Sequence, residues 1–208
     1  MSKSYLMLNE RLCLDFTNTV SWHNSEVTGE WLISYRKLVD WSHRAGILTE
    51  MQASTLLQKE AHQANEANEV LQQSIELREA LYRIFSSVVK KESPAKKDIS
   101  IFNKVLAKAY RTSHLVREDR TFSLRFDKSQ DKLDGMLPPI IHSAADLLLS
   151  EKDLNRIKKC KNDPCGWLFL DTSRNHSRRW CSMAHCGNRK KARRFYQNNK
   201  GVKQTNSQ

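Results

Sequence analysis

Four of the five cysteines fall in two short hooks near the C-terminal end, CKNDPC and CSMAHC, as Cys160-x4-Cys165 and Cys181-x4-Cys186 with 15 residues between them. Zn²⁺ takes four soft or borderline ligands at tetrahedral corners, and two cysteine hooks from separate segments supply them with little chain strain. With Cys160, Cys165, Cys181 and Cys186 all bound, no position remains for a catalytic water, so the expected centre is one structural Zn²⁺. Reduced structural thiols or a disulfide are the competing reading. His185 lies beside Cys186, within reach of Cys181, and is an alternative fourth ligand. Glycine follows each second cysteine, at Gly166 and Gly187, and glycine accepts the positive φ that turns a backbone N–H toward a thiolate. The two hooks therefore read as pseudo-symmetric halves of one site. The apolar run Trp167 to Leu170 and Trp180 would shield the metal in a segment too small for a core of its own.

Around this constellation the charge is lopsided. The formal net charge of the chain is +12, and residues 151–208 hold 15 Lys/Arg against 4 Asp/Glu, whereas residues 1–150 hold 20 against 19. A basic character confined to one end points to a polyanionic partner for that end. Arg174, Arg178 and Arg179 precede the second hook; Arg189, Lys190, Lys191, Arg193 and Arg194 follow it on a segment whose composition suits a helix. There 189/193 and 190/194 would stack one turn apart, and their repulsion is more easily understood if a polyanion offsets it. The arginines and Asn188 could reach base edges while the lysines contact phosphate. A solvated face that only aids solubility is the alternative. An RNA partner would use the same charge, with Trp167, Trp180 and Tyr196 available for stacking if exposed, and a zinc module that mediates protein contacts is a further alternative.

The elements that position the hooks are mostly helical. Residues 5–20 partly alternate between apolar and polar and read as a strand. Helical spacing predicts helices over 30–45, closed by Gly46, over 49–65, opened by a Thr49/Gln52 capping box, and along the broad stripe from Leu71 to Val88. Further helices are expected over 98–110 and from Pro138 to Ser150, with a β-hairpin over 114–118 and 121–127. Asp15, Asn18 and Thr19, polar groups in an apolar segment, are candidates for a ligand pocket, against the commoner role of tying down a turn. Cys13 reads as a buried small hydrophobe. No secretory signal or bilayer-spanning run is visible, so a cytoplasmic address with no membrane association is expected.

The stretch CGWLFLDTSRNHSRRWCSMAHCGNRKKARR resembles the CGNR zinc finger family, whose name-giving residues stand here as Cys186, Gly187, Asn188 and Arg189. LCLDFTNTV at 12–20 and YRKLVDWSHRAGIL at 35–48 resemble the ABATE domain that usually precedes that finger in bacterial proteins. The resemblance covers nearly the whole chain. It implies a bacterial stress-induced transcription regulator that binds DNA through its finger, with a sensor role for the first domain that leaves a small-molecule effector open. The expected fold is α+β: a mostly helical domain with a small sheet over 1–150, a treble-clef-like or ribbon-like four-cysteine zinc finger over 151–200, and a disordered tail over 201–208. His185 stands where many relatives have a small residue. No nucleophile and base pair, phosphate loop or open metal position supports an enzyme, so a nonenzymatic function is expected.

Overall fold

In a computed structural model, the residues described are 11–23, 25–26, 28–126, 132–193 and 196. The first helix is α1 (Leu12–Thr17), followed by a two-residue pair, β1 (Val20–Ser21) and β2 (Gly29–Glu30), then α2 (Tyr35–Arg44) and α3 (Glu50–His62). The scaffold's long member is α4 (Ala64–Lys90), against which α5 (Lys96–Arg111) packs. The hairpin β3 (Ser113–Glu118) and β4 (Thr121–Phe126) follows, then α6 (Leu137–Leu149), a short α7 (Glu151–Leu154), and the hairpin of β5 (Ile157–Lys159) with β6 (Leu168–Leu170). Three separate two-stranded antiparallel sheets result among the described residues.

The helix punctuation follows from the residues. Thr49 accepts from the Gln52 backbone N–H while the Gln52 side chain returns to the Thr49 N–H, a complete capping box. Gly46 takes φ +73° just past α2, where a side chain would be strained. Pro138 and Pro139 sit in the first turn of α6, where their missing N–H groups cost nothing. Arg83 reaches from α4 to the buried Asp98 at 2.7–3.0 Å, fixing α4 on α5.

Two sequence expectations are corrected. The described part of 5–20 is mainly a helix, α1, and only Val20 at its end belongs to a strand; residues 1–10 lie outside the description. Every residue from Cys13 to Thr17 is buried, because α6, α4 and β6 surround α1. A segment buried on all sides shows no reliable period. The second correction is that α2 begins at Tyr35, capped by Ser34 accepting from the Lys37 N–H. Glu30 and Trp31 precede it in the β2 region, and this frees Trp31 to pack on the cysteine cluster.

One core runs through both halves of the chain. Leu14, Phe16, Leu38, Trp41, Leu77 and Phe85 share a buried cluster with Ile157, Leu168 and Leu170 from the β5–β6 hairpin. The finger's hairpin is thus seated on α1 and α4, and the metal does not organise it alone.

Candidate metal centre and nucleic-acid interface

The pairing of β5 with β6 brings Lys159 opposite Leu168, so the chain between them must turn back within eight residues. Cys160 and Cys165 sit in that turn. The Cys160 N–H donates to the Trp167 carbonyl at 2.8 Å, and the Cys165 N–H to the Asn162 carbonyl at 2.8 Å. Gly166 then takes φ +69°. The second hook is built differently. Ser182 caps a π-helical turn, Met183–Gly187, by accepting from the His185 N–H, and the Gly187 N–H reaches back five residues to Ser182 at 3.0 Å. Gly187 lies at no positive φ; a Cβ there would stand 2.8 Å from Met183 Sδ. The expected pseudo-symmetry of the hooks is therefore absent. Glycine meets a backbone demand in the first and a steric one in the second. A hairpin knuckle joined to the first turn of a helix is the treble-clef-like arrangement of the two expected.

The four sulfurs converge within 4.8 Å of one another, and all four cysteines are buried. Cys181 Sγ lies 3.7 Å from Cys165 Sγ and 3.6 Å from Cys186 Sγ. A tetrahedron of sulfurs about 2.3 Å from zinc has edges of about 3.8 Å, whereas a disulfide would bring sulfurs to about 2.0 Å. The donor set and spacing thus fit Zn²⁺, and all five described cysteines are free of disulfides. Crowding splits the thiols. Acceptance of a hydrogen bond from Cys165 lowers Cys160 to about 7, while Cys165 and Cys181 are pushed far up, chiefly by facing Cys160. A divalent cation removes that conflict by stabilising every thiolate at once. His185 is exposed, with Nδ1 at 3.2 Å from Ser182 Oγ, and lies outside the sulfur cluster. Cys13 is wholly buried, which pushes its thiol up to about 12 and keeps it inert.

The surrounding shell belongs to both halves of the chain. Trp167 and Phe169 pack on the sulfurs, with Trp31 meeting Trp167 edge-on at 5.7 Å and Trp180 flanking them. Trp167 Nε1–H donates to the Val20 carbonyl at 2.6 Å, and Tyr82 O–H to the Gly166 carbonyl at 3.0 Å. The expected pocket residues are part of this seam. Asn18 Nδ2 donates to the Leu168 carbonyl at 2.8 Å and its Oδ1 accepts from the Leu168 N–H at 3.0 Å, extending β6 by a side chain. Thr19 Oγ1 donates to the Phe16 carbonyl. Asp15, Asn18 and Thr19 are all buried; an open cavity of about 320 Å³ lies elsewhere, between α4, α5 and the start of α6.

Asp171, which the sequence reading passed over, organises the loop between the hooks. Fully buried, it accepts from Lys158 Nζ at 2.6 Å, from the Ser173 hydroxyl and N–H, and from the Arg178 N–H at 3.0 Å. Burial alone would raise its pKa, but these donors outweigh it and hold the carboxyl well below its ordinary range. A lone aspartate after an apolar run followed by Thr-Ser was the available signal.

The expected basic residues separate into two groups. Arg178 is committed internally: its guanidinium stacks over Phe169 at 4.6 Å and donates to the carbonyls of Trp180 and Cys181. Arg193 is exposed but donates to the Asp163 carbonyl at 2.9 Å, bracing the helical residues 188–193 against the first hook. Asn188 spends its Nδ2 on the Ala184 carbonyl. Arg174, Arg179, Arg189, Lys190 and Lys191 are exposed, Arg179 lying over the Trp180 ring. Arg194 and the tail 201–208 lie outside the described residues.

A cysteine knuckle, a hairpin and a capped helical turn around four sulfurs, seated on a helical domain, define a two-part zinc finger protein. The ABATE family, described as "Putative stress-induced transcription regulator", matches residues 10–151, and the CGNR zinc finger matches residues 156–199. The chain belongs to the ABATE family and carries a CGNR zinc finger, whose four cysteines hold one structural zinc. A comparison with curated proteins gives no match. Among the described residues no helix is long and apolar enough to cross a membrane.

Proposed function

We propose that this protein is a nonenzymatic, cytoplasmic transcription regulator that binds duplex DNA through the cationic surface of its zinc finger. The observation that supports this most is the division of the basic residues. Lys158, Arg178 and Arg193 are tied to internal acceptors, while Arg174, Arg179, Arg189, Lys190 and Lys191 stand exposed on segments fixed by one buried metal centre. Exposed cations on a rigid frame suit phosphate oxygens, which position a duplex without reading its sequence. Structured RNA is the second reading. Base stacking on Trp167 is closed off, since that ring is 7% exposed, and Trp180 is half-buried; Tyr196, 68% exposed, is what favours it.

The test is a fluorescence-anisotropy titration of the zinc-loaded full chain against a labelled duplex, with unlabelled structured RNA as competitor. Binding to duplex that RNA of equal length displaces no better than DNA supports the reading. The double substitution Arg189→Glu/Lys190→Glu should then weaken binding by about ten-fold or more while zinc content is unchanged. Displacement by RNA at far lower concentration than by DNA would replace this function with the second.

A further inference from the structure

Asn162 lies inside the first hook, two residues after Cys160, and its exposure is 0%. Neither its Oδ1 nor its Nδ2 has a hydrogen-bond partner. Fully buried amides are almost always satisfied, because desolvating the N–H without a partner is costly, so an orphan in this position calls for an acceptor. Asn162 stands between two of the four clustered cysteines, and its own backbone carbonyl accepts from the Cys165 N–H at 2.8 Å. Metal-bound thiolates are strong acceptors of N–H hydrogen bonds, and such outer donors orient the ligands and disperse their negative charge.

We propose that Asn162 is a positioning residue of the metal centre, its side-chain N–H donating to the Cys186 thiolate when zinc is bound. The side chain of Asn162 is a neighbour of the Cys186 thiol, with no hydrogen bond formed between them. The bond bridges the two hooks, since Asn162 belongs to the first and Cys186 to the second. It thereby couples the hairpin knuckle to the helical turn that carries the exposed cations Arg189, Lys190 and Lys191. The inference rests on the zinc assignment and is independent of what the cations bind.

The test uses the full chain. In protein loaded with NMR-active cadmium in place of zinc, the Asn162 side-chain amide proton should show scalar coupling to the metal through the sulfur. In parallel, chelator competition on Asn162→Leu should give Zn²⁺ binding about 10- to 100-fold weaker than wild type. Asn162→Asp, which keeps the shape and adds a like charge, should weaken it further. A merely structural amide would shift the thermal stability of metal-free and metal-bound protein equally and leave the affinity unchanged. Absence of the coupling together with wild-type zinc affinity in Asn162→Leu, or an amide exchanging only with a buried water, would overturn the proposal. Failure of the chain to take up any cadmium would instead remove the metal assignment itself.

Discussion

Asp171 shows how much a single buried charge does in a loop with few apolar residues. Its four donors hold residues 171–178 in the path that delivers Arg178 to Phe169 and Cys181. Asp171→Asn keeps the shape and removes the charge, and should destabilise the protein by about 2 kcal/mol in urea unfolding. Because its folded pKa is depressed below the ordinary 3.8, the stability that Asp171 contributes is complete above about pH 4. It is lost as the pH falls through that value toward the lower folded one. Wild-type stability of the metal-free protein should therefore drop more steeply below pH 4 than that of Asp171→Asn. Measuring metal-free protein separates this from acid release of zinc. Cys181→Ser should abolish stoichiometric zinc in elemental analysis, since three thiolates leave a gap in a buried, otherwise closed shell. The cysteine spacing was legible in the sequence because metal chemistry fixes both ligand type and separation. Asp171 was not, because a polar hub is defined by donors that only the folded loop brings together.

At the scale of elements, the helices with strong punctuation were readable: the capping box at Thr49, the left-handed Gly46, and the prolines of α6 all act locally. Elements defined by tertiary burial were not. Segment α1 alternates Leu12, Leu14 and Phe16 as a strand would, yet it is helical because α4, α6 and β6 cover it all round. Trp31 has helical spacing with Tyr35 but packs on Trp167. Asn18, read as a candidate pocket residue, acts at this scale as an edge that continues β6. Asn18→Leu leaves the N–H and carbonyl of Leu168 buried without partners and should cost about 2–4 kcal/mol in thermal or urea unfolding. Gly166→Ala imposes a side chain at φ +69° and should cost about 1–2 kcal/mol by the same measurement.

For the molecule as a whole, the two family matches meet near residue 151, but the core does not divide there. Ile157, Leu168 and Leu170 share a cluster with Leu14, Leu77 and Phe85, and Tyr82 and Trp167 hydrogen-bond across the seam. Calorimetry should therefore give one cooperative transition whose midpoint falls when zinc is chelated, with loss of far-UV helix signal from α4 at the same temperature as the finger. Two separable transitions, the upper insensitive to chelator, would show the halves to be independent. Such coupling gives the helical domain a physical route to the finger, since any change that moves α1 or α4 strains the hairpin carrying Cys160 and Cys165. The sequence could place the charge at one end of the chain but could not reveal this shared core, because interdigitation of distant apolar residues has no local signature.

Duplex binding by a metal-held cationic surface is tested most directly by its salt dependence in the zinc-loaded full chain. The exposed cations Arg174, Arg179, Arg189, Lys190 and Lys191 predict a slope of log K against log salt of about −4 to −5. Arg189→Glu/Lys190→Glu should reduce its magnitude by about 2. A slope near zero, or the same slope after zinc is removed, would contradict a cationic surface held in place by the metal.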